Sequence, residues 1–375
     1  MRCGSHRVPF RRWPRGTPGA RRDSPEPDGE SMSADTAGPE TLGSLSNEPA
    51  PQDPNSEQAK EIAGKSPLRI ALGRLARDKV AVVCALVVLF FIICAVFAGT
   101  ISNLFGVSLD TPLASERVDG LNNNLPKPEM GPPNGPFTWD HPMGVAPRTG
   151  QDNMAYWLYG CRVSLTIATT AAIIASIVGV VVGLLSGFLG GKVDKVLSFF
   201  IDMFLTIPFL LAALTLAPIL NERFNTADNY ATIQKFSLVV VLSVFGWMGT
   251  ARLIRGEVLS LREREFVQAA RVMGMPTSRI LFKELLPNLA APIIISVSLM
   301  LPAFVALEAG LAFLGIGVTD GVSWGQMILD AATPVYFRDY PQYLWQPMIG
   351  VVALVLSLNL LGDAIRDALD PKTRR

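Results

Sequence analysis

Covalent catalysis needs nucleophiles, acids, bases or metal ligands at workable spacings, and this chain offers few such sets. Its four cysteines are Cys3, Cys84, Cys94 and Cys161, and its two histidines are His6 and His141. Cys84 and Cys94 lie inside one apolar run, and none of the four has metal-ligand spacing. That argues against a disulfide framework or a zinc site. Two distant histidines are too few for a metal site or a proton relay. Gly187-Phe-Leu-Gly190-Gly191-Lys192 has some look of a phosphate loop. The pattern, however, needs glycine where Ser186 stands and Ser or Thr where Val193 stands. No cofactor, metal or nucleotide site is expected, and uphill work would draw on a partner or an ion gradient.

The most specific pattern suggests mechanical work instead. Glu265-Phe-Val-Gln-Ala-Ala-Arg-Val-Met-Gly274 is followed by Met275-Pro276-Thr277 and, ten residues after the glycine, by Glu284-Leu-Leu-Pro287. Phe266, Ala269, Ala270 and Met273 fall on one helix face at i, i+3, i+4, i+7. Arg262, Glu263, Arg264 and Arg271 form the other face. Gly274 can take the left-handed conformation that closes a helix, and Pro276 blocks continuation. Thr277 or Ser278 can cap a second short helix running through Ile280. The product is a helix-turn-helix elbow whose apolar side is too small to be a domain core. Either it packs beneath its own chain or it is a docking knob for a soluble partner.

The elements that hold this elbow are membrane spans. The chain has 375 residues, 49% hydrophobic and 17% charged, with mean hydropathy +0.33. Soluble domains carry about 25% charged residues, so the deficit points to lipid. A net charge of +1 provides no global field for nucleic acid. A bilayer core about 30 Å thick asks for about 20 apolar residues per helix. Six segments meet that need: 80–98, 163–189, 196–220, 236–251, 289–314 and 344–361. Residues 1–65, rich in Pro, Gly, Ser and charge, cannot bury enough apolar surface to fold and read as a disordered cytoplasmic tail. Their Arg-rich start lacks the apolar core of a signal peptide, and initiation at Met32 is an alternative. The remaining divisions are 66–100 with the first span, an extracytoplasmic loop over 101–158, and an all-α transmembrane domain over 159–372 with the elbow loop at 255–287.

Charge orients the spans. Arg69, Arg74, Arg77 and Lys79 precede the first; Lys192 and Lys195 sit between the second and third. Arg252, Arg255, Arg262, Arg264, Arg271, Arg279 and Lys283 lie between the fourth and fifth, and Arg366, Lys372, Arg374 and Arg375 follow the sixth. The positive-inside bias places all of these, and both termini, in the cytoplasm. Ala171, Ala175, Gly179, Gly183, Gly187 and Gly191 recur every four residues, a spacing that lets helix backbones approach in lipid. Their partner is either the chain's own bundle or a second membrane subunit. Asp202, Glu308, Asn359 and Asp363 are costly in lipid and should face the bundle interior, water or the interface. Asp202 and Glu308 are candidates for inter-helix bonding or for a pathway. Pro208 and Pro302 can kink their spans and free carbonyls along such a path. Trp324 reads as an interfacial anchor or a contact for an outer partner.

At Gln268-Ala-Ala-Arg-Val-Met-Gly274 and Glu284-Leu-Leu-Pro287 the chain resembles the EAA loop of ABC importer permeases, with Gln268 in place of the pattern's Glu and Glu284 in place of its Ile. Residues 247–270, Phe313-Leu-Gly-Ile-Gly-Val318 with Ser323-Trp-Gly-Gln-Met327, and Asn359-Leu-Leu-Gly-Asp-Ala-Ile-Arg-Asp-Ala-Leu-Asp-Pro371 resemble the C-type permease of dipeptide and oligopeptide importers. So does the extra N-terminal span after Leu68-Arg-Ile-Ala-Leu-Gly-Arg-Leu. The family's Gly-Thr-Asp-x-x-Gly-Arg-Asp segment is altered here: Val145, Ala146 and Gln151 replace Thr, Asp and Arg, while Gly144, Gly150 and Asp152 remain. The outer loops near 122–136 and 221–235 are longer than usual.

This resemblance implies a type I importer permease that is half of a pathway for peptides. Its partners would be a homologous B-type permease, two ATP-binding cassette ATPases and an extracytoplasmic peptide-binding protein, all in a cell-membrane assembly. Glu265, Gln268, Ala269, Ala270, Met273, Gly274, Pro276, Leu286 and Pro287 would couple to the ATPase; Gly179, Gly183 and Gly187 would pack helices. The same permease type serves nickel, metal-chelate and glutathione importers. A stand-alone secondary transporter would call for internal repeats and paired intramembrane charges, which the sequence does not display.

Overall fold

The computed structural model describes residues 67–109, 114–224, 230–318 and 321–369. The expectations for the tail 1–65 and for Met32 fall outside them. In chain order the helices are α1 (Pro67–Leu75), α2 (Lys79–Val96), α3 (Ala98–Leu104), α4 (Ala114–Arg117), α5 (Asn153–Leu189), α6 (Gly191–Thr206) and α7 (Phe209–Arg223). There follow α8 (Tyr230–Leu261), α9 (Glu265–Val272), α10 (Thr277–Arg279), α11 (Ala290–Leu311), α12 (Trp324–Ala331), α13 (Pro334–Asp339) and α14 (Gln342–Leu369). A minimal antiparallel pair, β1 (Val118–Asp119) with β2 (Leu125–Pro126), ornaments the loop after the first span.

Among the described residues, five helical segments are long and apolar enough to cross a membrane: α2, α5, α8, α11 with its π-helical continuation to Ile316, and α14. The stretch expected to be one kinked span over 196–220 is instead two helices, α6 and α7, bent by 87°. Pro208 explains the break. It lacks an N–H, its ring excludes the helical path, and it pushes the preceding residue to extended backbone. Ile207 accordingly has ψ of 119°. Pro302, by contrast, lies buried inside an unbroken α11.

Two helices outrun their apolar segments. α5 starts at Asn153, not 163, because the buried carboxylate of Asp152 accepts the N–H groups of Met154 at 2.9 Å and Ala155 at 3.0 Å. Such capping satisfies donors that have no partner inside the helix. The loop assigned to 101–158 is therefore already helical at its end. α8 runs on to Leu261, so Arg252 and Arg255 ride on a span helix and the elbow proper begins after it.

The small-residue stripe finds its partner within the chain. α5 and α8 pack so closely that a Cβ on Gly179 would lie 2.8 Å from the Trp247 carbonyl oxygen. On Gly183 it would lie 2.7 Å from that of Ala251, and on Gly187 2.7 Å from Cβ of Val258. In lipid, where apolar burial gives no net drive, such backbone proximity supplies the attraction. Gly191 has open space beside it and a φ of +58°, so it belongs to the turn after the seam.

At the end of the bundle away from the elbow, Trp324 is not an interfacial anchor. It is fully buried, its Nε1 donates to the Trp157 carbonyl at 2.9 Å, and its ring packs against Phe91 and Trp157. At the opposite end the Arg74 guanidinium donates to the Ala368 carbonyl at 3.4 Å. This joins α1 to the last turn of α14, so the first and last described helices meet at the elbow end.

Candidate functional site

The elbow leaves α8 at Leu261 and turns at 262–264. Arg262 spans the junction: its Nη1 donates to the Gly187 carbonyl at 3.2 Å, and its Nε pairs with Glu263 at 3.0 Å. Gln268 closes the same turn, its Nε2 donating to the Arg262 carbonyl at 3.2 Å. α9 then ends in a Schellman motif. The N–H of Met275 reaches the Ala270 carbonyl at 3.1 Å and that of Gly274 reaches Arg271 at 2.9 Å. Gly274 has φ of +73°, the left-handed value the motif requires. Neither Thr277 nor Ser278 caps the second arm. Pro276 occupies that position without a side-chain bond, and Thr277 is already helical.

The second arm continues from α10 into a π-helical stretch, Ile280–Leu285, and a final turn, Leu286–Asn288. Pro287 has no N–H to offer the preceding turn, and Asn288 Nδ2 donates to the Glu284 carbonyl at 2.6 Å. Single π turns of this kind recur where a helix must re-aim its face.

The two faces of α9 differ from the periodicity reading. Val267 and Ala270 point inward, at most 1% exposed, against Ile280, Leu285 and Leu289 from the second arm and Leu184, Ile254 and Val258 from α5 and α8. Phe266, Ala269, Val272 and Met273 face outward, with Val272 88% and Met273 71% exposed. Ala270, which spacing groups with Phe266, Ala269 and Met273 and the resemblance names as a coupling residue, belongs instead to the elbow's own core. Glu265, Gln268, Gly274, Pro276 and Pro287 are exposed, and Leu286 is half-buried against the core. Phe282 on the π stretch adds an exposed ring that spacing did not single out. Arg271 stacks over the Phe188 ring at 4.9 Å, a cation–π contact to α5.

Above the elbow lies a charge cluster missed by sequence reading. Arg255 on α8 makes a two-pronged pair with Asp194 on α6, Nε to Oδ1 at 2.6 Å and Nη2 to Oδ2 at 2.9 Å. The hydroxyls of Ser186 and Ser198 donate to the same Oδ1 at 2.7 and 3.0 Å. The cluster ties the end of α5, the start of α6 and the end of α8. Only the turn at Gly190–Gly191 brings these residues together, and nothing in their spacing announces it.

The pathway candidates scatter. Asp202 is exposed and ion-paired with Arg252, not turned into the bundle. Glu308 is fully enclosed, beside the Ser164 and Ser323 hydroxyls. Asn359 is exposed and donates to its own helix at Val355, 3.0 Å away. Asp363 is exposed near the end of α14. Among the described residues no His, Cys, Asp and Glu group has metal-site geometry.

Residues 179–375 match the family model described as binding-protein-dependent transport system inner membrane component. The match takes in the elbow, the glycine seam and every span from the end of α5 onward. The chain belongs to that family. Residues 66–126 of this permease also match the N-terminal transmembrane domain of oligopeptide transport permease C. The permease is 30% identical over 328 residues to the oligopeptide transport system permease protein OppC of Bacillus subtilis (strain 168), covering 87% of this chain and 97% of that one. It is 32% identical over 303 residues to the dipeptide transport system permease protein DppC of the same strain, covering 80% and 85%. A solved structure of the MetNI methionine ABC transporter in an inward-facing conformation aligns at TM-score 0.47 and 20% identity, covering 58% of this chain and 97% of that one.

Proposed function

We propose that this permease forms half of the translocation pathway of an ATP-driven peptide importer and is driven at its elbow by an ATPase subunit. Both termini and the elbow then lie in the cytoplasm, and the Trp324 end faces outward. A homologous permease completes the pathway, two ATPases supply the work, and an extracytoplasmic binding protein delivers the peptide. Peptide as cargo follows the relatives, which are oligopeptide and dipeptide permeases.

The observation that carries this reading is the division of α9 into two faces. Val267 and Ala270 lock the elbow to the span helices, while Phe266, Val272 and Met273 present apolar area to solvent. A helix bolted to α5 and α8, with an unsatisfied apolar rim, passes the displacement of whatever it docks on directly to the spans. Packed elements of this kind move as bodies and do not deform continuously.

Met273→Asp tests it. In proteoliposomes holding the complete importer, peptide uptake and permease-stimulated ATP hydrolysis are expected to fall at least tenfold. The thermal stability of the permease should not change, because the side chain touches no core. Unchanged stimulation of the ATPase by this variant would remove the docking role.

A further inference from the structure

At the end of the bundle away from the elbow, five segments enclose a cavity of about 520 Å³. Tyr156 comes from the first turn of α5, Met327 and Asp330 from α12, Tyr336 from α13, Tyr343 from the first turn of α14, and Arg148 from the loop before α5. That loop is a tight hairpin. The Ala146 N–H bonds the Gln151 carbonyl at 2.7 Å and the Gly150 N–H bonds that of Ala146 at 3.1 Å. Arg148 sits at its tip with φ of +68°, its own N–H held by the Asn124 carbonyl at 2.9 Å. The backbone therefore fixes where the guanidinium starts, and among the described residues the guanidinium has no ion pair or hydrogen bond.

Opposite charge lines the same space. Asp330 is near enough to Arg148 for each charge to act on the other, yet the two form no ion pair. Among the described residues, Asp330 Oδ1 accepts only from Gln326, at 3.0 Å. Desolvation at the cavity wall raises the Asp330 carboxyl, with the Gln326 amide and Arg148 acting against that rise. Tyr343 is 5% exposed, and its hydroxyl has no hydrogen-bond partner among the described residues. A buried hydroxyl without a partner marks a place where a polar atom is missing. Apolar wall comes from Met327, Leu329 and Ala331. The volume lies within the range of small-molecule sites, roughly 300–1,000 Å³.

We propose that this cavity binds a zwitterion with free ends, a short peptide or amino acid, with Arg148 taking the carboxylate, Asp330 the ammonium and Tyr343 a polar atom between them. A zwitterion is the simplest ligand that satisfies a guanidinium and a carboxylate that line one space without pairing, since it neutralises both. The proposal rests on the importer reading and on its outward placement of this end, and it adds a cargo checkpoint on the permease itself.

The test uses the complete chain in lipid nanodiscs, without a binding protein, and radiolabelled trialanine in equilibrium dialysis. Trialanine is expected to be retained and not to be displaced by trialanine blocked as N-acetyl and C-terminal amide. Arg148→Gln and Asp330→Asn, both at solvent-reached positions, should each weaken retention at least tenfold. Tyr343→Phe, which keeps the packing, should weaken it about threefold. Equal displacement by the blocked peptide, full retention by the two charge variants, or no retention by the parent chain at millimolar trialanine would overturn the site. If retention fails while the complete importer still takes up peptide with ATP, the cavity proposal falls and the importer reading stands. If retention holds while Met273→Asp leaves ATPase stimulation unchanged, the cavity proposal stands and the docking role of the elbow's outer face falls.

Discussion

The two ends of this bundle are built in opposite ways. At the elbow end the interior is full. Val267, Ala270, Ile280, Leu285 and Leu289 are each at most 2% exposed, and Arg255 and Arg262 are both committed to partners across element boundaries. At the far end a cavity of about 520 Å³ remains, and among the described residues Arg148 at a loop tip has no ion pair and the Tyr343 hydroxyl no hydrogen bond. A region that receives force must keep its shape, so it spends its residues on close packing and shared charges. A region that receives a molecule must keep room, and it leaves polar groups waiting. α5 runs from the cavity wall at Tyr156 to the elbow core at Leu184, and the glycine seam pairs its second half with α8.

The sharpest way to break the full end is a charge in its core. Ala270→Asp puts a carboxylate among Val267, Ile280 and Leu285 with no cation inside that cluster. An unpaired buried charge costs about 3–5 kcal/mol, and the elbow is expected to detach from α5 and α8. Hydrogen exchange over α9 should rise to unprotected rates. Met273→Asp, on the outward face of the same helix, should leave that exchange unchanged. Equal protection loss in both variants would mean that α9 has no inner and outer side.

Next in size is the seam. Gly183→Leu drives a side chain into the Ala251 carbonyl and the Ile254 side chain, both within 3 Å of the required Cβ. Overpacking of this kind costs about 1–3 kcal/mol. The thermal midpoint of the purified chain in detergent should fall, whereas Gly249→Ala on the open side of α8 should not move it. An unchanged midpoint for Gly183→Leu would show that the seam carries no weight.

These contrasts also mark what could be read from the residues alone. Five of the six apolar runs, the elbow, its Gly274 turn and the glycine repeat over residues 179–187 follow from local chemistry: apolar run length, left-handed permissiveness, helical spacing; the third run is instead two helices broken at Pro208. Capping moved the start of α5 because Asp152 acts from outside the apolar run. Spacing alone does not fix the face of Ala270, because i, i+3, i+4 marks two adjacent rows and only the tertiary neighbours Ile254 and Ile280 decide which row turns inward. Of the two roles open to Asp202, the structure shows the inter-helix bond, and its partner Arg252, fifty residues on, meets it at the surface. Trp324 was expected at an interface, and its burial depends on Trp157 and Phe91 from two other helices. Pairings across elements have no signature in single-sequence spacing.

A smaller effect separates the charge tether from the apolar core. Asp194→Asn removes the carboxylate that Arg255, Ser186 and Ser198 share, while leaving Val258 and Leu184 beneath it in place. Both partners are partly open to solvent, 31% and 21% exposed, so the loss is that of a screened charge-assisted bond, about 1.5 kcal/mol. The variant should fold, with faster exchange at the start of α6 and no change at α9. If α9 loosens as well, the tether and the core are one unit and the elbow is held by charge as much as by packing.

The finest probe of the contrast is the elbow's turn. Gly274 has φ of +73° and nothing within 4 Å of its missing Cβ, so Gly274→Ala meets no neighbour and pays only for the left-handed backbone. That strain is about 1 kcal/mol for an L residue. The Met275-to-Ala270 and Gly274-to-Arg271 bonds should weaken, seen as a few-fold faster exchange of those two amides, with Val267 and Ala270 still protected by their core. Gly274→Asn, whose side chain tolerates this region, should recover most of the loss. If the alanine variant instead lowers protection across the whole of α9, the turn and not the apolar core sets the elbow's rigidity. The full end of the molecule would then owe its stiffness to one backbone angle, and the contrast with the hollow end would rest on turn geometry instead of packing.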